Sequence, residues 1–192
     1  MQVLKVLVLF AVLPIITAHP QEQQPQVPKP YEDANAYQIY SLLLPNEEAS
    51  SFAKGTLVVQ EQTVSSAFSR ECVTREVART FKDAIVDFQR VNQTEWLLQR
   101  QFVSDKPYEL VNREMLTALF KEGGWNAFGK RYPGSGGYTV MSAVGFNKEK
   151  SLAIVYSGSS CGNLCGSWSL HLFSKRRGKW VAVPGVTCAT VS

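Results

Sequence analysis

From Tyr138 to the C-terminus the hydrophobic period of the chain is two, and no other feature constrains the fold as much. Across 138–146, Val140, Ser142, Val144 and Phe146 share one face. A turn at 147–150 leads to a strand at 152–157, another follows at 168–174, and the Arg177-Gly178 turn leads to a fourth at 179–183. Consecutive strands joined by short turns make an antiparallel meander. Its one long connection is the cysteine-bearing segment 158–167. A sheet of this kind has to cover an apolar face, and helices packed on one side are the natural closure. The expected class is therefore α+β.

The helices lie upstream. Asp33 can cap a helix in which Ala36, Tyr37, Tyr40, Leu43 and Leu44 share a face and which Pro45 ends. Residues 46–55 read as a polar loop and 56–63 as a strand. The strongest helical pattern is 75–91, where Val77, Phe81, Ala84, Ile85, Phe88 and Val91 recur at three and four residues; its phenylalanines are core positions. Asn92 ends it and begins an Asn-Gln-Thr glycosylation sequon. Residues 96–102 read as a strand. Asn112 caps a helix to Phe120 that Gly123-Gly124 stops, after which Trp125, Phe128 and Tyr132 return to helical spacing. The glycine-rich stretch 133–137 follows a helix and precedes a strand. That is the wrong order for cradling a phosphate at a helix N-terminus.

The first thirty residues stand apart. A short start with Lys5, an apolar run over 6–16 and the small residues Thr17-Ala18 have the layout of a signal peptide cleaved after Ala18. The run is shorter than the roughly 20 residues a membrane span needs, so no membrane insertion is expected after cleavage. Residues 19–30 are mostly Gln and Pro and read as an extended tether. His19, at the new N-terminus, could pair with the free amine to hold copper or nickel, but a solvated tail is the better reading. The organisation expected is signal peptide 1–18, tether 19–30 and a single domain over 31–192, in a secreted or periplasmic protein.

The four cysteines, Cys72, Cys161, Cys165 and Cys188, are an even number in a chain that reads as exported, and they allow three pairings. Gly158, Gly162 and Gly166 permit the tight backbone of a local bridge, which favours Cys161 with Cys165 and Cys72 with Cys188. The alternative is that Cys188 ties the tail to the Cys161/Cys165 segment. A metal site from Cys161, Cys165, His171 and Cys188 matches no common zinc spacing, and no metal or other cofactor is expected. The formal charge is +4, with basic residues scattered except for Lys175-Arg176-Arg177 and Lys179 around one turn. Such a tip is ordinarily a solvated hairpin, so nucleic acid is not an expected partner.

Several of these segments together, Tyr132-Pro133-Gly134-Ser135-Gly136-Gly137-Tyr138, Ala143-Val144-Gly145-Phe146-Asn147, Cys161-Gly162-Asn163-Leu164-Cys165-Gly166 and Gly178-Lys179-Trp180, carry a resemblance. The chain resembles a group of uncharacterised exported bacterial proteins with a helix-plus-meander domain and a CGxLCG loop. The resemblance implies that fold, a periplasmic or secreted setting and hence an unglycosylated Asn92. It brings no activity with it.

Chemistry is sparse in the sequence. His171 is the one histidine of the folded part, on a strand face with Ser169 and Phe173 and opposite Trp168, Leu170 and Leu172. No nucleophile elbow accompanies it, and Glu47-Glu48 reads as a polar loop pair rather than a positioned acid and base. Rigid aromatics near glycine-rich loops, Trp125, Tyr132, Tyr138 and Trp168, suit contact with a partner. The expected function is a non-enzymatic binding or interaction module for an envelope or extracellular protein or glycan. A small hydrolase centred on His171 is the alternative.

Overall fold

The structure is a computed structural model that describes residues 28–65, 68–186 and 188–191. The expected signal peptide and residues 19–27 of the tether lie outside the described residues. In chain order the elements are β1 (Lys29–Pro30), α1 (Ala34–Leu43), a 3-10 turn (Leu44–Asn46), α2 (Glu48–Phe52), β2 (Leu57–Gln60), a second 3-10 turn (Arg70–Cys72), α3 (Arg75–Thr80), α4 (Lys82–Val91), β3 (Trp96–Leu97), β4 (Tyr108–Val111), α5 (Arg113–Arg131), β5 (Tyr138–Met141), β6 (Gly145–Phe146), β7 (Leu152–Gly162), β8 (Cys165–Arg176), β9 (Lys179–Val183) and β10 (Ala189–Val191).

The fold is α+β. The main sheet runs β10-β8-β7-β5-β2-β4, with β9 added to β8 and β6 to β7. β7, β8 and β9 form the expected antiparallel meander. β2, however, pairs parallel with both β4 and β5, so the sheet is mixed. Alternation along the strands shows a second departure from expectation. Ala153, Val155 and Phe173 pack with Tyr37, Tyr40 and Leu44 of the α1 region. The intervening Ile154, Leu170 and Leu172 pack with Val77, Ala84 and Phe88 of α3 and α4. Val58 and Val111 face Leu116 and Phe128 of α5. Helices thus cover both faces, because the central strands are apolar at odd and even positions alike and each face needs its own cover.

The local signals mostly place the elements. Asp33 caps α1 through the Asn35 amide at 3.0 Å, and Asn112 caps α5 through the Met115 amide at 2.8 Å. The helix expected over 75–91 is broken at Phe81, which leaves helical geometry (φ −94°, ψ 13°) and divides it into α3 and α4. The two helices expected around Gly123-Gly124 are there as the two arms of a kinked α5, with Gly124 at φ 58°. The strand expected over 96–102 shrinks to Trp96–Leu97, where it pairs with Lys29 and Pro30, so the end of the tether belongs to the fold.

The strand expected over 138–146 is interrupted between β5 and β6. There side chains take over the role of the ladder. Asn92 Nδ2 donates to the carbonyls of Phe88 and Ala143 at 2.9 and 3.0 Å, and its Oδ1 accepts from the Ala143 amide at 2.9 Å. The Tyr31 hydroxyl bonds both the amide and the carbonyl of Val144, and the Tyr40 hydroxyl donates to Ser142 O at 2.7 Å. Asn92 is thus buried with its amide fully engaged, which leaves it unsuited to carry a glycan.

The segment 158–167, expected as a long loop, is mostly strand. β7 and β8 continue to Gly162 and from Cys165, leaving Asn163-Leu164 as the turn of one long hairpin. The Cys161–Cys165 bridge clips its tip with Cα atoms 5.0 Å apart, and Cys72–Cys188 closes the long loop at 4.7 Å. Both distances suit disulfides. The pairing takes up all four sulfurs and excludes the Cys161/Cys165/His171/Cys188 metal arrangement and the alternative tie of Cys188 to that segment. Gly158 serves a different purpose from the one expected. A Cβ there would lie 2.0 Å from Cδ1 of Trp168, so the missing side chain makes room for the indole.

Candidate functional site

Two places carry chemistry. The first lies where α2 rests on the sheet. Glu47 precedes α2 as its N-cap residue, and α2 is held down by two contacts. The Ala49 amide donates to Ser159 Oγ at 3.2 Å, and Lys106 Nζ donates to the carbonyls of Ser50 and Ala53 at 3.0 and 2.9 Å. That geometry sets the Glu47 carboxylate on Ser157 Oγ, which donates to Glu47 Oε1. On its other side Ser157 Oγ lies 2.8 Å from His171 Nε2. Ser157 and His171 share a sheet face but are not direct register partners; Ser157 stands opposite Ser169, and Val155 opposite His171. Ser169 instead donates to the Leu170 carbonyl at 3.3 Å.

Burial sets the proton positions. It pushes the Glu47 carboxyl up to about 6, although the Ser157 hydrogen bond pulls the other way. It pushes His171 down to about 4. At neutral pH Glu47 is therefore mainly ionised and His171 neutral. With the Ser157 hydroxyl proton directed at the Glu47 carboxylate, Ser157 Oγ accepts from His171 Nε2–H, so the ring is a donor toward the hydroxyl. A nucleophilic triad has the reverse order: the imidazole accepts the hydroxyl proton, and the carboxylate holds the far ring nitrogen. Access points the same way, since Ser157 is 1 % exposed and Glu47 7 %.

The sequence singled out His171 but missed both partners. Ser157 shares parity with Ala153 and Val155, a polar residue on an inward face, and that was a usable signal. Glu47 gave none, because only the tertiary path of 44–52 turns a polar loop into a 3-10 turn and a helix with Glu47, Ala49 and Ser50 buried.

The second place is an open cleft of about 380 Å³ where α5 leans on the sheet, walled by Gln60, Leu116, Thr117, Phe120, Lys121 and Tyr138, with Arg113 at one end. Phe120 and Tyr138, half-buried, have ring centres 5.8 Å apart. Trp125 backs both, 4.9 Å from Phe120 and stacked on Tyr138 at 6.1 Å. Arg113 is held by Glu95 at 2.8 and 3.0 Å. Of the four aromatics expected as a contact surface, the structure brings together Trp125, Tyr132 and Tyr138. Tyr132, 4 % exposed, belongs to the core against Phe128 rather than to the surface. Trp168 takes no part in this cluster and lies across Gly158 on the neighbouring strand. Phe120 was read from the sequence only as the end of a helix.

Among the described residues, no three histidines, cysteines or carboxylates come together as metal ligands, and no helix is long and apolar enough to cross a membrane. Comparison with known proteins returned no matching family model, no similar curated protein and no similar solved structure.

Proposed function

We propose that this protein is an exported, non-enzymatic binding module that takes a glycan chain in the cleft beside α5. The observation that carries the reading is the wall itself. Phe120 and Tyr138 offer ring faces to the C–H face of a sugar, and Gln60, Thr117 and Lys121 offer an amide, a hydroxyl and an ammonium for its hydroxyls. Trp125 behind them fixes both rings, so little side-chain entropy is lost on binding. The disulfides and the N-terminal layout support export. Soluble peptidoglycan fragments are the probe, with the change in intrinsic tryptophan fluorescence that Trp125→Phe removes as the readout. Phe120→Ala is expected to weaken binding at least tenfold and the exposed Lys121→Ala about threefold, with melting temperature followed in parallel. Unchanged affinity in both variants would remove the cleft from the function.

A second reading, a hydrolase, draws on the convergence of Glu47, Ser157 and His171. The buried serine and the donor role of His171 oppose it. Under the binding reading, His171→Gln leaves fragment affinity within about threefold, under 1 kcal/mol. Turnover of p-nitrophenyl esters that disappears in both folded Ser157→Ala and folded His171→Gln would replace binding with catalysis.

A further inference from the structure

One end of the sheet concentrates the charge of the molecule. The β6–β7 turn and the β8–β9 turn lie side by side there, tied by the Lys175 amide donating to Ser151 O at 2.7 Å and by Leu152 facing Ser174. The two turns carry Lys148, Lys150, Lys175, Arg176, Arg177 and Lys179, all but Lys175 exposed. With Arg90 of α4 the cations number seven, and four carboxylates stand against them: Asp87 pairs with Arg90 at 2.6 Å and accepts from the Phe146 amide at 2.9 Å. Asp33 pairs with Lys150 at 2.8 Å, Glu32 is its neighbour in sequence, and Glu149 accepts from Asn147 at 3.0 Å. The surplus of three positive charges is most of the formal +4 of the whole chain. Two of the cations are braced on aromatic rings: Lys150 lies over Phe146 at 5.5 Å and Lys175 over Trp180 at 5.2 Å, with Lys175 also donating to Asn35 Oδ1 at 2.8 Å.

Directly beside this basic end, between α1, the 101–103 segment and the β8–β9 turn, runs a cleft of about 530 Å³ walled by Tyr37, Leu42, Val103 and Trp180 and edged by Gln38 and Lys179. Two of its apolar residues reach into solvent, Leu42 at 44 % and Val103 at 79 % exposure. Exposed apolar side chains next to an unbalanced cationic surface are costly in a molecule surrounded only by water. They match a boundary that is negatively charged outside and apolar just beneath.

We propose that this end is a peripheral docking surface for an anionic lipid bilayer. Arg176, Arg177 and Lys179 meet the headgroup phosphates while Leu42 and Val103 enter the boundary of the acyl chains. The charge complementarity of the rim selects an anionic bilayer over a neutral one. The apolar cleft selects a bilayer over a nucleic acid or a soluble polyanion, which would engage the cations and leave Leu42 and Val103 in water. This surface is separate from the cleft beside α5 and does not depend on the glycan reading.

The test is sedimentation of the chain from His19 onward, which holds every described element, with vesicles of equal parts phosphatidylglycerol and phosphatidylcholine in 100 mM salt. Binding is expected to these vesicles and at least tenfold weaker to pure phosphatidylcholine. It should weaken further as salt rises. Arg176→Gln, Arg177→Gln and Lys179→Gln together should cost at least thirtyfold, since each cation near an anionic surface contributes roughly fivefold. Val103→Ser, an uncharged change at an exposed site that leaves the melting temperature unchanged, should cost at least fivefold. Phe120→Ala should leave vesicle binding unchanged. No binding to the anionic vesicles would overturn the proposal. So would binding that the triple variant loses but Val103→Ser keeps, because that is the signature of a general polyanion site.

Discussion

Replacing Cys72 and Cys188 together by serine is expected to lower unfolding free energy by about 5 kcal/mol, whereas the same change at Cys161 and Cys165 should cost about 2 kcal/mol. The difference follows from the chain each bridge closes. Cys72 and Cys188 are 116 residues apart and Cys161 and Cys165 only 4, and the entropy removed from the unfolded chain grows with the logarithm of that separation. Placement in the fold adds to it. Cys188 lies between the Val73–Val186 bridge and β10, so the long disulfide ties the 3-10 turn that precedes α3 to the residue that leads into the last strand of the sheet. The short one clips a hairpin that ten ladder pairs already hold. Urea unfolding of the two double variants under identical conditions measures both effects. Equal losses would show that the short bridge holds more than the hairpin tip.

Acidification should separate Glu47 from His171. The half-buried His171 ring, held to about 4 against an ordinary 6.5, contributes stability that is fully present above pH 6.5 and is lost as pH falls toward 4. At about 1.4 kcal/mol per pH unit this amounts to about 3 kcal/mol. Glu47 works in the opposite sense. Its carboxyl is raised to about 6 from an ordinary 4.5, so the cost of burying the ionised form is fully present above pH 6 and is relieved as pH falls to 4.5. That returns about 2 kcal/mol. In the wild-type protein the two act in opposite directions, so its stability changes less between pH 6.5 and 4 than His171 alone would make it change. Glu47→Gln removes the compensating half, so its stability relative to wild type should fall by about 2 kcal/mol between pH 6 and 4.5. His171→Gln removes the other half, and relative to wild type it should gain about 3 kcal/mol between pH 6.5 and 4. The check is urea unfolding of the three proteins across that range. Parallel curves would mean that neither group is held away from its ordinary titration.

The cluster also explains why a histidine with a serine and a carboxylate in reach need not be catalytic. Glu47 makes its hydrogen bond to the hydroxyl and not to the ring, so the ionised carboxylate draws the serine proton away from His171. Buried as it is, the network does mechanical work, locking α2 onto β7 and β8. The cleft beside α5 and the basic end face solvent, which is where the proposed binding module would meet its partners.

What the sequence determined by itself is local and periodic. Asp33 and Asn112 mark helix starts because a side-chain oxygen has to satisfy amides that the first turn leaves unbonded. Gly123-Gly124 marks a break because one of the pair takes a left-handed backbone that other residues avoid. The period of two after Tyr138 marks the meander because successive side chains of a strand point to opposite faces. Both disulfides were legible from glycine spacing and an even cysteine count. The tertiary structure decided what depends on contacts between distant segments. The parallel placement of β2 between β4 and β5, the second layer of helices and the split of 138–146 by Asn92, Tyr31 and Tyr40 carry no periodic signal. The descent of Glu47 onto Ser157 and the meeting of two basic turns beside an exposed Val103 carry none either. Each is set by the long-range register of strands and by which loop happens to cover them, and a residue's neighbours in sequence do not report that register.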